Sequence, residues 1–445
     1  MIQQLKRWQM GLFALAAILS ITLANCAQQT TAPTTGASAS PGAAATALVF
    51  GTGGDPVNLE SGNFEDSNSG YVQDQIYDRL IRFKPGTADL EPGLATEWSA
   101  SADGKTWTFK LRDGVKFHDG TDFNAAAVVA NVNRWWDEKD TLGFRDAGKT
   151  YAIWSSLFGG FKGSKDSLLQ EVKAVDAKTV QFVLKTPFAA FPAAIASNYF
   201  GIASPDAIKK AGASYGTPSS TAVGTGPYVL KEWRSGDRIV LEKNASFWQG
   251  EPKMQQVIFR TIKEPAARLA ELRSGSIDFT VDIAPDQLKE LQADPNLKEV
   301  RRPSFNVGYL ALNPSFEPFK KKEVRQAVAM AINRKAIVDA FWSGLAKTDA
   351  HFIPPSMQAY QDASLKEYEY SPDKAKKMLA AAGYPDGFDL ELWYMPVSRP
   401  YYPTPKPIAV AFAADLGAIG IRVKLNTKDW AAYLADRLKA PGFQA

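Results

Sequence analysis

Residues 389–426 read DLELWYMPVSRPYYPTPKPIAVAFAADLGAIGIRVKLN. The alternating apolar side chains of residues 389–394 predict a strand, the apolar run 408–418 predicts a helix, and residues 421–426 predict a second strand. Strand, helix and strand in this order form a βαβ unit, whose two strands lie parallel. The stretch therefore predicts an α/β fold.

The loop between this strand and this helix holds one arginine among prolines. Pro396, Pro400 and Pro403 each fix the backbone angle φ, so the loop around Arg399 is stiff before any ligand arrives. In an open α/β sheet, ligands bind beyond the carboxyl ends of the strands, and this loop leaves one such end. A guanidinium there offers a fork of donors that matches a carboxylate. The residues alone leave two interpretations open: a ligand-binding arginine, or a surface arginine in a proline-rich loop.

The 445-residue chain is too long for a single core, and its composition, 45% hydrophobic and 22% charged, is that of a globular protein with two or three domains. Alternation and turn residues predict further strands at residues 48–50, 106–112, 179–184, 228–233, 238–243, 257–262 and 277–281. Apolar spacing and capping residues predict helices at residues 71–80, 125–137, 205–213, 265–274, 323–332, 335–343, 372–382 and 430–439.

The N-terminus indicates export. Lys6 and Arg7 precede an uncharged apolar run at residues 10–23, which is the order of a secretory signal peptide, here residues 1–25. Cys26, the only cysteine, follows directly and resembles the lipidated cysteine of bacterial lipoproteins. Residues 26–47 would then be the lipidated cysteine and a flexible, uncharged tether. A plain signal peptide and an uncleaved membrane anchor are the alternatives.

Several classes of function lack support in the sequence. A formal net charge of +4 without a basic, aromatic-rich run argues against nucleic acid as a partner. His118 and His351 have no Cys or His neighbours, so we predict no metal site, and no nucleophile or zinc-hydrolase motif predicts a catalytic residue. The glycines of 224–227 lack the ending of a phosphate-binding loop and predict a turn, and we assign the Trp135–Trp136 pair to a core.

Several segments in order resemble the family 5 extracellular solute-binding proteins, the dipeptide- and oligopeptide-binding components of ABC importers. They are PGLATEW (92–98), DGKTWTF (103–109), LRDGVKFHDG (111–120), GTGPY (224–228), and VRQA with AINR (324–327 and 331–334). The resemblance implies a type II periplasmic-binding-protein fold, with two α/β lobes around a ligand cleft and an inserted extra domain. By analogy, residues 48–80 and 221–302 form lobe I, residues 81–220 the inserted domain, and residues 303–445 lobe III.

Within this family, WYMPV (393–397) followed by Arg399, Pro400 and Tyr401 is similar to the dipeptide-binding members. In those proteins the matching arginine binds the carboxylate of the peptide. The resemblance therefore implies that Arg399 receives a ligand carboxylate, with Tyr401 and Met395 beside the ligand. Binders of haem, glutathione and nickel chelates share the scaffold, so a non-dipeptide solute stays open as the alternative.

One difference from the family concerns the opposite end of the ligand. The family's aspartate for the peptide α-ammonium lies in a segment beyond Ala445, so we expect residues 1–445 to be a truncated reading frame. We predict a monomeric, lipid-anchored protein of the periplasm or cell envelope, without a cofactor, that delivers small peptides to an ABC transporter permease. A protein that feeds a chemoreceptor, and a secreted hydrolase that works through carboxylates, are the other hypotheses.

Overall fold

Residues 46–281, 283–302, 304–437, 439 and 441–445 are described by the computed structural model of the protein. The predicted signal peptide, Cys26 and all but the last two residues of the predicted tether lie outside the described residues. Within the described part, no helix combines the length and the apolar character needed to cross a bilayer.

The strands of the described chain pair into four sheets. The strands are β1 (Ala47–Thr52), β2 (Ile81–Phe83), β3 (Leu90–Pro92), β4 (Ala95–Ala100), β5 (Thr106–Leu111), β6 (Leu169–Asp176), β7 (Thr179–Leu184), β8 (Tyr228–Arg234), β9 (Arg238–Lys243), β10 (Gln256–Thr261), β11 (Phe279–Thr280), β12 (Asp389–Trp393) and β13 (Arg422–Asn426). The five-stranded sheet has the order β11-β1-β10-β9-β8, the four-stranded sheet has the order β4-β5-β7-β6, and β2-β3 and β12-β13 form two-stranded sheets.

The helices lie between these strands. They are α1 (Ser67–Ile76), α2 (Ala125–Trp136), α3 (Ala152–Phe158), α4 (Phe191–Ile195), α5 (Pro205–Ala211), α6 (Pro265–Arg273), α7 (Leu288–Ala293), α8 (Glu317–Lys320), α9 (Lys322–Ala331), α10 (Arg334–Trp342), α11 (Pro372–Ala381), α12 (Pro405–Gly417) and α13 (Trp430–Asp436). Short 3₁₀ turns include Asn198–Phe200.

The five-stranded sheet is mixed. β1 is parallel to β10 and β11, whereas β9 is antiparallel to both β10 and β8. Phe50 of β1 lies between β11 and β10, and its ring centroid is 5.4 Å from that of Phe259 and 4.8 Å from that of Phe279. Phe50 and Phe259 belong to one of three buried apolar clusters of the described residues, and Phe279 covers Phe50 from the exposed edge of the sheet.

The four-stranded sheet is antiparallel and packs against α2. Asn124 caps α2 by accepting a hydrogen bond from the Ala127 backbone N–H at 3.0 Å. Trp135 and Trp136 on this helix are buried, which confirms their assignment to a core, the second of the three clusters.

The βαβ unit of residues 389–426 is confirmed. β12 and β13 are parallel, in register from Asp389 opposite Arg422 to Trp393 opposite Asn426, and α12 connects them. Ile408 and Leu416 of α12 are fully buried in the third cluster, which also contains Leu390 of β12. This unit places the loop that contains Arg399 at the carboxyl end of β12.

One predicted helix is wrong in its bounds. The expected helix at residues 71–80 begins at Ser67 and ends at Ile76. It begins early because the Asp66 carboxylate accepts hydrogen bonds from the backbone N–H and the hydroxyl of Ser69, at 3.0 and 2.6 Å. It ends early because Tyr77 is extended, which frees Asp78 to accept from the side chains of Thr225 and Trp248.

Candidate ligand-binding site

The loop after β12 closes into a tight turn around Arg399. The Arg399 N–H donates to the carbonyl of Tyr402 at 3.0 Å, and the Tyr402 N–H donates back to the carbonyl of Arg399 at 2.9 Å. Pro400 is the first of the two central residues, where its fixed φ suits a β-turn, and Tyr401 is the second. The indole N–H of Trp342 also donates to the carbonyl of Pro400 at 3.0 Å. The arginine is thus held by a backbone that is hydrogen-bonded on both sides.

The turn is also fastened to the segment around residue 308. The Tyr402 hydroxyl donates to the carbonyl of Tyr309 at 2.8 Å. A Cβ at Gly308 would lie 2.7 Å from the carbonyl oxygen of Tyr401, closer than real Cβ atoms approach. Glycine at position 308 therefore lets the two backbones come into contact, and this contact fixes the distance between the turn and the segment around residue 308.

The Arg399 side chain is buried and incompletely hydrogen-bonded. Arg399 is only 5% exposed, and its guanidinium carbon lies 5.3 Å from the centre of the Trp430 ring, within the range of a cation–π interaction. Nη1 donates to the carbonyl of Ser398 at 3.1 Å, whereas the buried Nη2 has no hydrogen-bond partner among the described residues. No carboxylate of the described residues forms an ion pair with Arg399. A buried cation with an unmatched donor is costly unless an anion pairs with it.

Tyr401 and Met395 lie in the same loop. Both are half-buried, and the Tyr401 ring meets the Tyr402 ring edge to face, with centroids 6.2 Å apart. Burial raises the pKa of the Tyr433 phenol, and Tyr401 adds to this rise. The structure places Met395 before the turn and gives no contact that joins it to Arg399.

Phe64, Glu65 and Tyr199 form a second wall, which an ion pair joins to the end of α13 and which the sequence does not predict. Tyr199, in the 3₁₀ turn, packs its ring against Phe64 with centroids 5.0 Å apart. Burial raises the pKa of Tyr199, and Glu65, Asp66 and Tyr401 add to the rise. Glu65 forms an ion pair with Arg437, the residue that follows α13. No local signal could have revealed this contact, because the two partners are 372 residues apart in sequence.

Both histidines have structural partners. The backbone N–H of Gly224 donates to His118 Nδ1 at 3.4 Å, which leaves Nε2 as the donor to the carbonyl of Gly226 at 2.9 Å. His351 bonds to Asp349 and to the carbonyl of Asp362, at 2.6 and 2.7 Å. The described residues contain no group of three or more side chains that could hold a metal ion.

A concavity of about 650 Å³ lies elsewhere, on one face of the five-stranded sheet. Val49, Val240 and Ile258 line it together with charged side chains of the neighbouring strands. None of the residues around Arg399 belongs to this lining, so the candidate site rests on the geometry of the Arg399 turn and not on this concavity.

A mixed sheet, an antiparallel sheet and a βαβ unit that carries a buried cation form the architecture of type II solute-binding proteins, with two α/β lobes around a ligand cleft and an inserted extra domain. The chain belongs to the bacterial extracellular solute-binding proteins, family 5: the family description "Bacterial extracellular solute-binding proteins, family 5 Middle" matches residues 89–445. The predicted family and fold class are confirmed. Members of this family are binding proteins of transport systems, so the chain is a solute-binding protein and not an enzyme.

Curated relatives agree on the family and differ in ligand. The chain is 34% identical over 371 residues to the dipeptide-binding protein of Escherichia coli K12, covering 81% of this chain and 67% of the relative. It is 33% identical over 369 residues to heme-binding protein A of Haemophilus influenzae, covering 81% and 66%. The chain thus spans about two thirds of the length of these relatives.

Solved structures give the same result. A periplasmic binding protein associated with an ABC transporter of Helicobacter pylori, in complex with the peptide STSA, matches with a TM-score of 0.80 and 30% identity, over 88% of this chain and 75% of that chain. The dipeptide-binding protein of Pseudoalteromonas sp. SM9913, in complex with Met-Leu, matches with a TM-score of 0.79 and 29% identity, over 87% and 77%.

Proposed function

We propose that this protein is the lipid-anchored solute-binding component of an ABC importer and captures small peptides, dipeptides first among them. The observation that carries the proposal is the Arg399 guanidinium, which is buried at the carboxyl end of β12 with one donor group unmatched. A peptide carboxylate supplies both the missing charge and the missing acceptor.

The surroundings of Arg399 favour a carboxylate over other anions. The turn fixes the arginine backbone, and the Trp430 ring covers one face of the guanidinium, so the planar edge stays available for a planar, two-oxygen acceptor. Tyr401 and Met395 belong to the same loop and would contact the ligand beside its carboxylate. The dipeptide-binding and peptide-bound relatives are consistent with this assignment.

The lobe division and the anchor are parts of the same proposal. Residues 48–80 and 221–302 form lobe I, residues 81–220 the inserted domain, and residues 303–445 lobe III. The ligand binds between lobes I and III, and the closed form engages the permease. Acylation of Cys26 holds a monomer at the membrane surface of the periplasm or cell envelope.

A haem, glutathione or other non-dipeptide solute is the second candidate, because relatives of similar identity carry the names heme-binding protein A and glutathione-binding protein. Glutathione has carboxylates of its own, so Arg399 is compatible with it. Competition of each solute against a free-acid dipeptide separates these candidates.

The test of the proposal is a double cycle on the ligand carboxylate. Removing one partner of a desolvated charge pair costs ~2–5 kcal/mol. Arg399→Ala should therefore weaken the binding of a free-acid dipeptide by roughly 30-fold to a few thousandfold. Arg399→Lys should recover only part of this loss, because a point charge cannot reproduce the guanidinium fork.

The same dipeptide amidated at its C-terminus is the control ligand. It should bind the wild type poorly and lose little more in Arg399→Ala, and calorimetric titration of both ligands into both proteins measures the coupling. Equal losses for the free acid and the amide would show that Arg399 does not read the carboxylate.

A further inference from the structure

An ion pair joins the two walls of the candidate site. Glu65 lies in the loop that precedes α1, and Arg437 follows the last residue of α13. Their side chains are 20% and 40% exposed, so the pair is partly shielded from water. Because the two residues lie on different walls, their ion pair forms only when the walls are close together.

Contacts on either side place this pair beside the candidate site. Tyr199 packs against Phe64, the residue before Glu65, with ring centroids 5.0 Å apart. The Arg437 backbone N–H donates to the carbonyl of Tyr433 at 3.1 Å, and the Tyr433 ring stacks on that of Trp430.

Glu65 differs from its acidic neighbour in what it bonds to. The Asp66 carboxylate is engaged by Ser69 as the cap of α1, with bonds to the Ser69 backbone and hydroxyl at 3.0 and 2.6 Å. The Glu65 carboxylate instead accepts a hydrogen bond from the guanidinium of Arg437, on the other wall. Asp66 therefore stabilises its own helix, whereas Glu65 is directed at the opposite segment.

Helix α13 connects this pair to the arginine of the site. It begins at Trp430, whose ring covers the Arg399 guanidinium, and it is followed by Arg437. Trp430 and Tyr433 stack along it with ring centroids 5.7 Å apart. A helix of this length spans only about 10 Å, so a restraint at one end limits movement at the other.

We propose that Glu65 and Arg437 are a positioning pair, which draws α13 toward the loop before α1 and so sets how long a ligand stays enclosed beside Arg399. The inference rests on the proposed function, since it assumes that the cleft between these walls holds the ligand. Neither residue is required to touch the ligand. Their contribution appears in the closed state and therefore in the rate of ligand dissociation.

The first experiment measures the dissociation rate of a fluorescent dipeptide by stopped flow. Glu65→Gln and Arg437→Gln should each raise the rate by roughly two- to fivefold, the size expected of a partly exposed ion pair. The charge-swapped double variant Glu65→Arg/Arg437→Glu should return the rate to within about twofold of the wild type. Raising the salt concentration should reduce the difference between wild type and Glu65→Gln, because salt screens partly exposed charges.

The matched control is an ion pair within one wall. Asp389 and Arg422 pair between β12 and β13 with exposed side chains, and Asp389→Asn should leave the dissociation rate unchanged. Spin labels at the exposed positions Lys210 and Lys424, in a Cys26→Ser background, report the separation of the walls without any ligand. Glu65→Gln should lengthen or broaden this distance distribution, and the charge swap should restore it.

The outcomes separate this inference from the proposed function. A distance that responds to Glu65→Gln and to the swap, in a protein that binds no peptide, supports the positioning pair and refutes the peptide assignment. Unchanged distances and dissociation rates in both single variants would show an ordinary surface ion pair and overturn the inference. A double variant as fast as the single variants would overturn it as well.

Discussion

Replacing Glu60 with glutamine should destabilise the fold more than any surface substitution. The Glu60 carboxylate is buried, pairs with the guanidinium of Arg134 and the ammonium of Lys149, and accepts from the hydroxyl of Tyr151 at 2.9 Å. Glutamine keeps the shape of the side chain and removes its charge. Two cations would then stand buried without an anion.

The magnitude follows from burial. Arg134 is fully buried and Lys149 is 8% exposed, and Nε and Nη1 of Arg134 already lack hydrogen-bond partners among the described residues. Breaking a buried charge pair by removing one partner costs ~3–5 kcal/mol, and we expect Glu60→Gln to fall in this range. Glu60→Gln/Lys149→Met should be more stable than Glu60→Gln alone, because it leaves a single unpaired cation.

The pH dependence gives an independent check. Burial, and then Arg134, lower the pKa of Lys149 to about 8. Because this pKa is below its unfolded value of about 10.4, the unfolded chain holds more protons in the window between them, and stability rises with pH there. Loss of the Glu60 anion lowers the folded pKa further. The deficit of Glu60→Gln should therefore shrink between about pH 7 and pH 9 as Lys149 loses its proton.

The assay is urea denaturation followed by tryptophan fluorescence, with the exposed Glu97→Gln as the control. The control should change the free energy of unfolding by less than about 0.5 kcal/mol. A Glu60→Gln protein within 1 kcal/mol of the wild type would refute the reasoning. A deficit that stays constant with pH would mean that Lys149 is not one of the cations that Glu60 stabilises.

Two further predictions concern His118 and Cys26. Burial lowers the pKa of His118, so the folded protein holds this histidine in its neutral form. The free energy of unfolding should therefore fall as the pH drops below about 6.5, the pKa of histidine in the unfolded chain. Protonation removes the acceptor for the Gly224 N–H, and in His118→Gln the loss of stability between pH 7.5 and 5 should be smaller; an identical loss would assign the acid sensitivity to other groups. The wild type should partition into detergent and Cys26→Ser should not; a free thiol on Cys26 in the mature protein would contradict lipidation.

Elements whose own side chains alternate between core and solvent could be predicted from the sequence. β5, β7, β9, β12 and α2 were found because apolar residues recur in them with the right period. β6 was missed, since only Leu169 and Val172 of its eight residues are buried and its pairing with β7 defines it as a strand. α1 was misplaced because its beginning depends on a cap at Asp66 that lies outside the apolar pattern.

In the candidate site, too, the features with a local sequence signal could be predicted and those set by distant contacts could not. Arg399 could be found because a strand end, three prolines and a family motif surround it in the sequence. The burial of Arg399 could not be predicted, because the ring that covers it belongs to Trp430 on α13, which follows β13 in the chain. The pairing of Glu65 with Arg437 is beyond any local pattern, because each residue alone is an ordinary charged side chain. Contacts of this kind depend on tertiary structure.

The close contact at Gly308 limits how the ligand preference of this protein could be altered. It touches the Tyr401 carbonyl with no room for a Cβ, so the position of the Arg399 turn is set by the contact of two main chains. Gly308 would then act as a spacer beneath Arg399 and Tyr401, the residues that we propose contact the ligand. Enlarging it would lift the whole turn as one piece and shift every ligand contact together. Redesign of selectivity through substitutions at 395 or 401 thus presupposes that position 308 is left as glycine.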